Sequence, residues 1–340
     1  MKLHTLHFPI HEVAPYINWL YFFHAWGFPA RLGSIAKVHG CEACRLNWLS
    51  GFHPSERARA QEAVRLYDDA TRRLGQVDAK YQTHASVALL NANGDGDDII
   101  VYRDNGEPCR LPFLRSQQPD ANGLCLCISD YVRPVSSNGS IDAQDYGLRN
   151  STNIASVNST NITSENGIVN DSGNGTYKDT GTRDCIGIFA CCTDRRMEEE
   201  DADEYNHLLN QTLADRLAEA TAEYMHEKVR KELWGFAPNE ALSVEELFQE
   251  KYQGKRPAVG YPSMPDQSLN FLLSDLLPFG DIGICLTETG AMLPHASTSG
   301  LILSHPATVH FSVGHIGEDQ LRDYARRRGM SIEEMRKYIK

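Results

Sequence analysis

The sequence has 340 residues, 41% of them hydrophobic, and a net charge of −12 at pH 7. That length is enough for one large or two ordinary domains with a buried core, and the negative charge argues against a nucleic-acid partner. No stretch approaches the roughly 18 apolar residues of a membrane span, and the start lacks a secretory pattern, so we expect a cytoplasmic protein with no membrane partner. Nine cysteines, an odd number, favour reduced thiols.

The first third of the chain predicts one long helix and one hairpin. Residues 54–75 carry apolar side chains at helical spacing, and Ser55 is the candidate N-cap. Two strands are expected at 87–89 and 99–102. The segment 91–98, rich in Asn, Gly and Asp, predicts the turn between them.

A polar tract interrupts the middle of the chain. Residues 136–183 are rich in Asn, Ser, Thr and Gly, and they hold too few apolar side chains to offset the entropy lost on ordering. We interpret this tract as a disordered insertion. The short apolar runs that flank it, 124–132 and 185–192, predict two strands.

The second half of the chain predicts both helices and strands. Helices are expected at 202–233, at 239–251 with a capping box formed by Ser243 and Glu246, at 269–277, and after Ser331, with strands at 282–287, 300–304 and 308–316. Strands and helices do not alternate regularly. The sequence therefore predicts a single α+β domain over residues 1–340, with a largely antiparallel twisted sheet flanked by helices.

Motifs for metal binding and for catalysis give weak signals. Cys41 and Cys44 form one CxxC pair, but a zinc site usually needs a second pair, so buried thiols without a metal are the expectation. His305, His310 and His315 are five residues apart, which is not a usual ligand spacing on a strand. The sequence has no dinucleotide fingerprint, P-loop or nucleophile elbow, and it predicts no catalytic residue.

The block Arg256–Pro262 combines a cation, a glycine, an aromatic ring and two prolines. By itself such a block is more often a rigid turn. The alternative is a grip for a small zwitterion, because a guanidinium can pair with a carboxylate through two parallel hydrogen bonds.

Several blocks around it occur in a particular order: AEYMHEKVR at 222–230, WGFAPNE at 234–240, EKYQG at 250–254 and DYARRRGMS at 323–331. In this order and spacing they resemble the C-terminal activation domain of cobalamin-dependent methionine synthase. The resemblance implies an S-adenosylmethionine site and reductive methylation of a cobalamin. That cobalamin would belong to a partner chain, the cobalamin-binding methionine synthase chain, since this sequence lacks the Asp-x-His-x-x-Gly pattern. A flavodoxin-like protein would donate the electron.

The resemblance also implies site residues. Arg256 would pair with the ligand carboxylate, and Gly260 and Tyr261 would shape the pocket. Glu219 and Glu250 stand where the family has carboxylates near the cationic ligand.

Three further positions complete the expected S-adenosylmethionine site. Phe311 matches an aromatic position near the ligand. Asn18 stands where the family usually has aspartate, and His310 where it usually has tyrosine. Both changes lower the expected attraction for a cation, so we expect weaker S-adenosylmethionine binding.

The leading hypothesis is a reactivation module for methionine biosynthesis. It would be a methyltransferase-class component of methionine synthase, inactive without its cobalamin-carrying partner. Two alternatives stay open. One is a non-catalytic docking subunit for a corrinoid protein, and the other is a reactivator of a different corrinoid methyltransferase.

Overall fold

The computed structural model describes residues 1–135, 183–199 and 203–339. The predicted insertion at 136–183 lies outside the described residues except for Arg183. The strands are β1 (Lys2–Pro9), β2 (Gln82–Asp95), β3 (Asp98–Tyr102), β4 (Pro108–Pro112), β5 (Asp184–Thr193), β6 (Cys285–Leu286), β7 (Met292–Leu293) and β8 (Ser297–Ile302).

The helices are α1 (Ile10–Val13), α2 (Trp19–Ala25), α3 (Glu42–Ser50), α4 (Pro54–Asp78), α5 (Arg195–Glu199), α6 (Glu204–Lys228), α7 (Val244–Phe248), α8 (Leu269–Leu276), α9 (Glu318–Arg328) and α10 (Ile332–Met335). Short 3-10 segments occur at Ala14–Tyr16, Ala30–Lys37, Ile128–Tyr131 and Phe279–Ile282, and Val229–Leu233 forms a π-helical turn after α6. Across the described ranges, every helix is too short or too polar to span a lipid bilayer.

Six of the strands form one antiparallel sheet in the order β4-β3-β2-β5-β8, and β1 also pairs with β2. The long β2 makes this possible, since its residues 82–89 pair with β1 and its residues 91–95 pair with β3. Its other edge pairs with β5, and β5 then pairs with β8. The prediction of a largely antiparallel sheet flanked by helices is confirmed.

Both faces of the sheet are buried. Along β5, Phe189 and Cys191 face one hydrophobic core, shared with α4 and α6, whereas Ile188 and Ala190 face a second core that includes α8. This alternation follows from the two-residue period of a strand. The edge strand β8 therefore lies beside both helical layers, and the candidate site is built there.

Of the three helix N-caps predicted from the sequence, Ser55, Ser243 and Ser331, the last two are confirmed. Ser243 caps α7 with Glu246 closing the capping box, and Ser331 accepts a hydrogen bond from the backbone of Glu334 at the start of α10. The expected Ser55 cap of α4 is wrong, because Pro54 occupies the first helical position and His53 is the N-cap.

Three of the strand predictions need correction. Residues 124–132 contain a 3-10 turn instead of a strand, with the Asp130 carboxylate accepting a hydrogen bond from the backbone of Cys127. Residues 308–316 form no strand, and strand pairing within 282–287 is limited to Cys285–Leu286.

One helix prediction is also too long. The helix predicted at 239–251 is confined to Val244–Phe248.

Candidate functional site

The segment 254–261 runs along the free edge of β8. Backbone hydrogen bonds join Lys255 to Leu303 in both directions, Leu301 to Pro257, and Val259 to Ser299, at 2.9–3.0 Å. This close approach requires Gly300, because a Cβ there would lie 2.1 Å from the carbonyl oxygen of Pro257. The segment 254–261 therefore extends the edge of the sheet like an additional strand. This pairing fixes the positions of its side chains.

Arg256 points from this segment toward α6. Its side chain is 13% exposed, and its Nη2 donates to Oε2 of Glu223 at 3.3 Å. Its Nη1 lies 3.1 Å from Nδ1 of His226, and its guanidinium lies 5.9 Å from the centre of the Phe189 ring. The predicted ligand-binding arginine therefore already contacts two side chains of the protein, Glu223 and His226.

His226 is fully buried next to this guanidinium. Burial, reinforced by the positive charge of Arg256, lowers the pKa of His226 well below its usual value. The neutral ring accepts the Arg256 hydrogen at Nδ1, so Nε2 carries the proton. Within the described residues, His226 Nε2 and Glu223 Oε1 are buried without a hydrogen-bond partner. Such orphaned polar atoms in a charged cluster favour a site that a polar ligand completes.

Three glutamates stand one turn apart on α6, each facing a different segment. Oε1 of Glu219 accepts from the hydroxyl of Tyr261 at 3.0 Å, Glu223 pairs with Arg256, and Oε2 of Glu227 accepts from the hydroxyl of Tyr16 at 2.6 Å. Tyr261 is half-exposed, and the partial burial of its ring, followed by the charge of Glu219, raises its pKa to about 12. The three carboxylates form a row that spans about 12 Å along the helix, and this row suits a cationic ligand.

Glu250 and His310 form a second pair beside Arg256. Nε2 of His310 lies 3.2 Å from Oε1 of Glu250, and Nζ of Lys255 lies 3.6 Å from Oε2. The hydrogen bond from His310 is the main cause that lowers the pKa of Glu250. Lys255 also lies over the ring of Tyr252, at 4.8 Å from its centre, and Tyr252 contacts His226 edge-on. The Glu250 pair is thus connected to the Arg256 cluster.

Gly260 supplies a left-handed backbone with φ 87° next to the exposed Tyr261. Its N–H donates to the carbonyl of Met264 at 2.8 Å, which closes the turn after the β8-bound segment. A residue with a Cβ would be strained at this φ. The turn holds Tyr261 over Glu219.

Asn18 lies at the start of α2, two residues after Tyr16, whose hydroxyl contacts Glu227 at the margin of the site. Its side-chain oxygen accepts from the backbone N–H of Leu20 at 3.2 Å, so the residue is the N-cap of the helix. It also lines a cavity of about 1000 Å³ between α2, α4 and α7, with Trp19, Tyr67 and Phe248 in its wall. Among the described residues, the lining of this cavity does not include Arg256. We place the candidate site at Arg256, because the orphaned buried polar atoms converge there.

Phe311 is half-buried and packs against the second core and against a smaller cluster that includes Leu321 and Tyr324 of α9. The segment that carries it is joined to the site by the hydrogen bond from the N–H of Val313 to the carbonyl of Pro262, at 2.9 Å. The structure therefore gathers six of the eight predicted residues around Arg256 and leaves Asn18 and Phe311 at its margins.

Sequence reasoning missed four residues that contribute to the cluster, namely Glu223, Glu227, His226 and Tyr16. The i, i+4, i+8 spacing of the three glutamates was a signal for a shared helix face. His226 carried no such signal, because its role depends on a guanidinium that arrives from 30 residues further along the chain.

The fold and the site together define an α+β ligand-binding domain, with a buried arginine at the sheet edge and a row of carboxylates on the neighbouring helix. The chain matches the family described as "Vitamin B12 dependent methionine synthase, activation domain" over residues 9–148 and 175–329. Among solved structures it is similar to the crystal structure of the MetH reactivation domain bound to AdoHcy. The two are 32% identical with a TM-score of 0.73, over 99% of this chain and 89% of that one. This chain belongs to the activation-domain family of vitamin B12-dependent methionine synthases.

Proposed function

We propose that this chain binds S-adenosylmethionine at the Arg256 cluster and supports the reductive methylation of a cobalamin carried by a partner chain. The observation that carries the proposal is the row of carboxylates on α6 around Arg256, with Glu223 Oε1 and His226 Nε2 left without partners among the described residues. The similar MetH reactivation domain, whose structure contains AdoHcy, supports the same ligand class.

The residues present fit this ligand by charge. S-adenosylmethionine carries a carboxylate, an ammonium and a sulfonium. Arg256 would hold the carboxylate, because a guanidinium is suited to bidentate pairing. Glu219 and Glu223 would attract the two cationic groups. The turn at Gly260 would set the wall of the pocket through Tyr261.

The bound ligand would supply an activated methyl group on its sulfonium. The protein would not need a general base, since the leaving group is already activated. The described residues would bind and orient the ligand, and orientation alone can contribute several kcal/mol to such a transfer. In this proposal the chain is a component of a methyltransferase system in methionine biosynthesis, with a flavodoxin-like protein as electron donor.

A reconstitution assay tests the proposal. Purified chain is mixed with a cobalamin-carrying methionine synthase chain, a reductant and S-adenosylmethionine, and the visible spectrum of methylcobalamin is followed. We expect its formation to require the chain and to fall strongly in an Arg256→Ala variant. Arg195→Ala is the matched control, because Arg195 is 66% exposed and pairs with Glu199 outside the site. Full activity of Arg256→Ala would refute the role of this arginine.

A docking subunit that transfers no methyl group is the second candidate. The arrangement of two residues favours it, since Asn18 uses its side-chain oxygen as a helix cap and His310 is paired with Glu250. Both side chains would then contribute little to the binding of S-adenosylmethionine. Partner binding that is indifferent to S-adenosylmethionine, without methyl transfer, would support this candidate over the first.

A further inference from the structure

A cluster of metal-ligand side chains lies outside the site, on the loop between the segment Ala30–Lys37 and α3. One ligand atom from each of His39, Cys41 and Cys44 lies within 4.8 Å of the other two. Cys41 is exposed and Cys44 is half-buried. The expectation that both thiols are buried is therefore wrong for Cys41. The CxxC pair also has a third potential ligand beside it, His39, which the motif alone did not indicate.

The local fold holds the three side chains together. Cys41 is the N-cap of α3, and its Sγ accepts from the backbone N–H of Cys44 at 3.4 Å. The N–H of Cys41 donates to Nδ1 of His39 at 3.3 Å. The sulfur of Cys41 thus lies at the positive end of a nine-residue helix, which favours the thiolate form that a metal binds.

Both sides of the loop are anchored. Nε1 of Trp48 in α3 donates to Oγ of Ser34 at 3.0 Å, which ties the helix to the segment before His39. Arg45 makes a two-point contact with the carboxylate of Asp68 in α4, at 2.5 and 2.6 Å. This pairing also balances the nearest cationic side chain of α3, so its charge does not oppose a bound cation.

We propose that His39, Cys41 and Cys44 form a zinc site with three protein ligands and a fourth position open to water or to a ligand from outside the chain. Zinc–sulfur distances of about 2.3 Å place the ligand atoms of a tetrahedral site roughly 3.8 Å apart. The observed cluster is within about 1 Å of that spacing. Two thiolates and one imidazole are ligands that zinc prefers over harder cations.

Metal analysis of the purified full chain tests this site. After reduction, dialysis against a slight excess of zinc and removal of unbound metal, we expect one zinc per chain. Cobalt(II) should bind in its place and give thiolate charge-transfer absorption together with the intense d–d bands of a tetrahedral site. Cys41→Ser and Cys44→Ser should each weaken zinc binding at least about 100-fold, and His39→Ala at least about tenfold. Cys285→Ser is the matched control, because Cys285 is also exposed but outside the cluster.

Circular dichroism and thermal melting confirm that each variant is folded before its zinc affinity is compared. The proposal is overturned if reduced wild-type chain binds no stoichiometric zinc. It is also overturned if Cys41→Ser binds zinc as well as Cys285→Ser does, or if His39→Ala binds it as tightly as wild type. None of these readouts depends on S-adenosylmethionine, so the outcome is independent of the proposed function.

Discussion

The guanidinium of Arg256 lies 3.3 Å from the carboxylate of Glu223, and both side chains are nearly buried, at 13% and 12% exposed. The arginine that the family resemblance assigns to a ligand carboxylate thus already has an acidic partner within the protein. A ligand carboxylate would have to share this guanidinium with Glu223, and the orphaned Oε1 of Glu223 would then be available to a cationic group. The pair therefore offers one positive and one negative group, which match the two opposite charges of a zwitterion.

Asn18→Asp should tighten S-adenosylmethionine binding without loss of stability. Aspartate caps a helix as well as asparagine does, so α2 should keep its start. The added negative charge should improve affinity about threefold to tenfold, corresponding to about 0.7–1.4 kcal/mol. Calorimetric titration measures this, with Asn105→Asp as a control that adds the same charge at an exposed position. Unchanged affinity in Asn18→Asp would rule out a place for residue 18 near the ligand.

Gly300→Ala should disturb the site through the backbone. The new Cβ would meet the carbonyl oxygen of Pro257 at 2.1 Å, and therefore the segment that carries Arg256 must move off β8. We expect a loss of about 1–3 kcal/mol in the free energy of unfolding and weaker ligand binding. Gly280→Ala is the control, because a Cβ there meets no atom within 4 Å, and it should stay within about 0.5 kcal/mol of wild type. Denaturant unfolding compares the two, and equal stabilities would contradict this packing.

Glu240→Gln should be strongly destabilising. Glu240 makes three hydrogen bonds, at 2.6–3.1 Å, with the fully buried guanidinium of Arg230, which also lies over the Tyr252 ring. Loss of its charge leaves a buried cation without compensation, which typically costs about 3–5 kcal/mol.

The matched control for this change is Glu199→Gln in the exposed pair with Arg195. Exposed ion pairs contribute little, so this variant should lose less than about 1 kcal/mol. A similar loss in both variants, measured by urea unfolding, would show that the Arg230–Glu240 pair is not a buried anchor.

Acidification should destabilise the protein partly through His226. Its pKa in the folded state is well below the ordinary 6.5, so below pH 6.5 the unfolded chain binds more protons than the folded one. Stability contributed by the neutral ring is therefore fully present above this pH and decreases as the pH falls toward the folded pKa. Arg256, Arg230, Lys255 and His310 add positive charge around the ring.

Melting temperatures at about pH 7.5 and about pH 5.5 measure this effect. The difference between them should be smaller in His226→Asn, which keeps an acceptor for Arg256 but cannot be protonated. His4, His84 and His305 also have lowered pKa values and contribute a remaining dependence. The exposed His315→Asn should match wild type. If His226→Asn keeps the full pH dependence, the buried ring is not the cause.

Periodic patterns explain which elements were predicted well. The apolar stripe of α6 and the hairpin of β2 and β3 follow from local spacing, and both are present in the structure. The predicted turn at 91–98 is too long, because residues 91–95 pair with β3 and the turn is limited to 96–97. The run 124–132 is apolar without such a period, whereas the segment 308–316 alternates, with apolar residues at 309, 311 and 313, and still forms no strand. Their conformations depend on tertiary contacts, as in the ion pair of Asp130 with Arg115 and the hydrogen bond from Val313 to Pro262.

The site could be predicted in part. The residues of the block Arg256–Pro262 were identified from the sequence, but the pairing of Arg256 with Glu223 depends on how the block lies along β8. His39 was missed as a neighbour of the CxxC pair, because the turn that brings its ring to Cys41 is not a periodic feature.

Isothermal titration with S-adenosylmethionine tests the assigned site most directly. We predict saturable binding of one ligand per chain for wild type and for Arg195→Ala. Arg256→Ala should bind at least about tenfold more weakly, since a charge-assisted hydrogen bond contributes about 1.5–3 kcal/mol. A folded wild-type chain that shows no saturable binding, or a folded Arg256→Ala variant with wild-type affinity, would contradict the assignment.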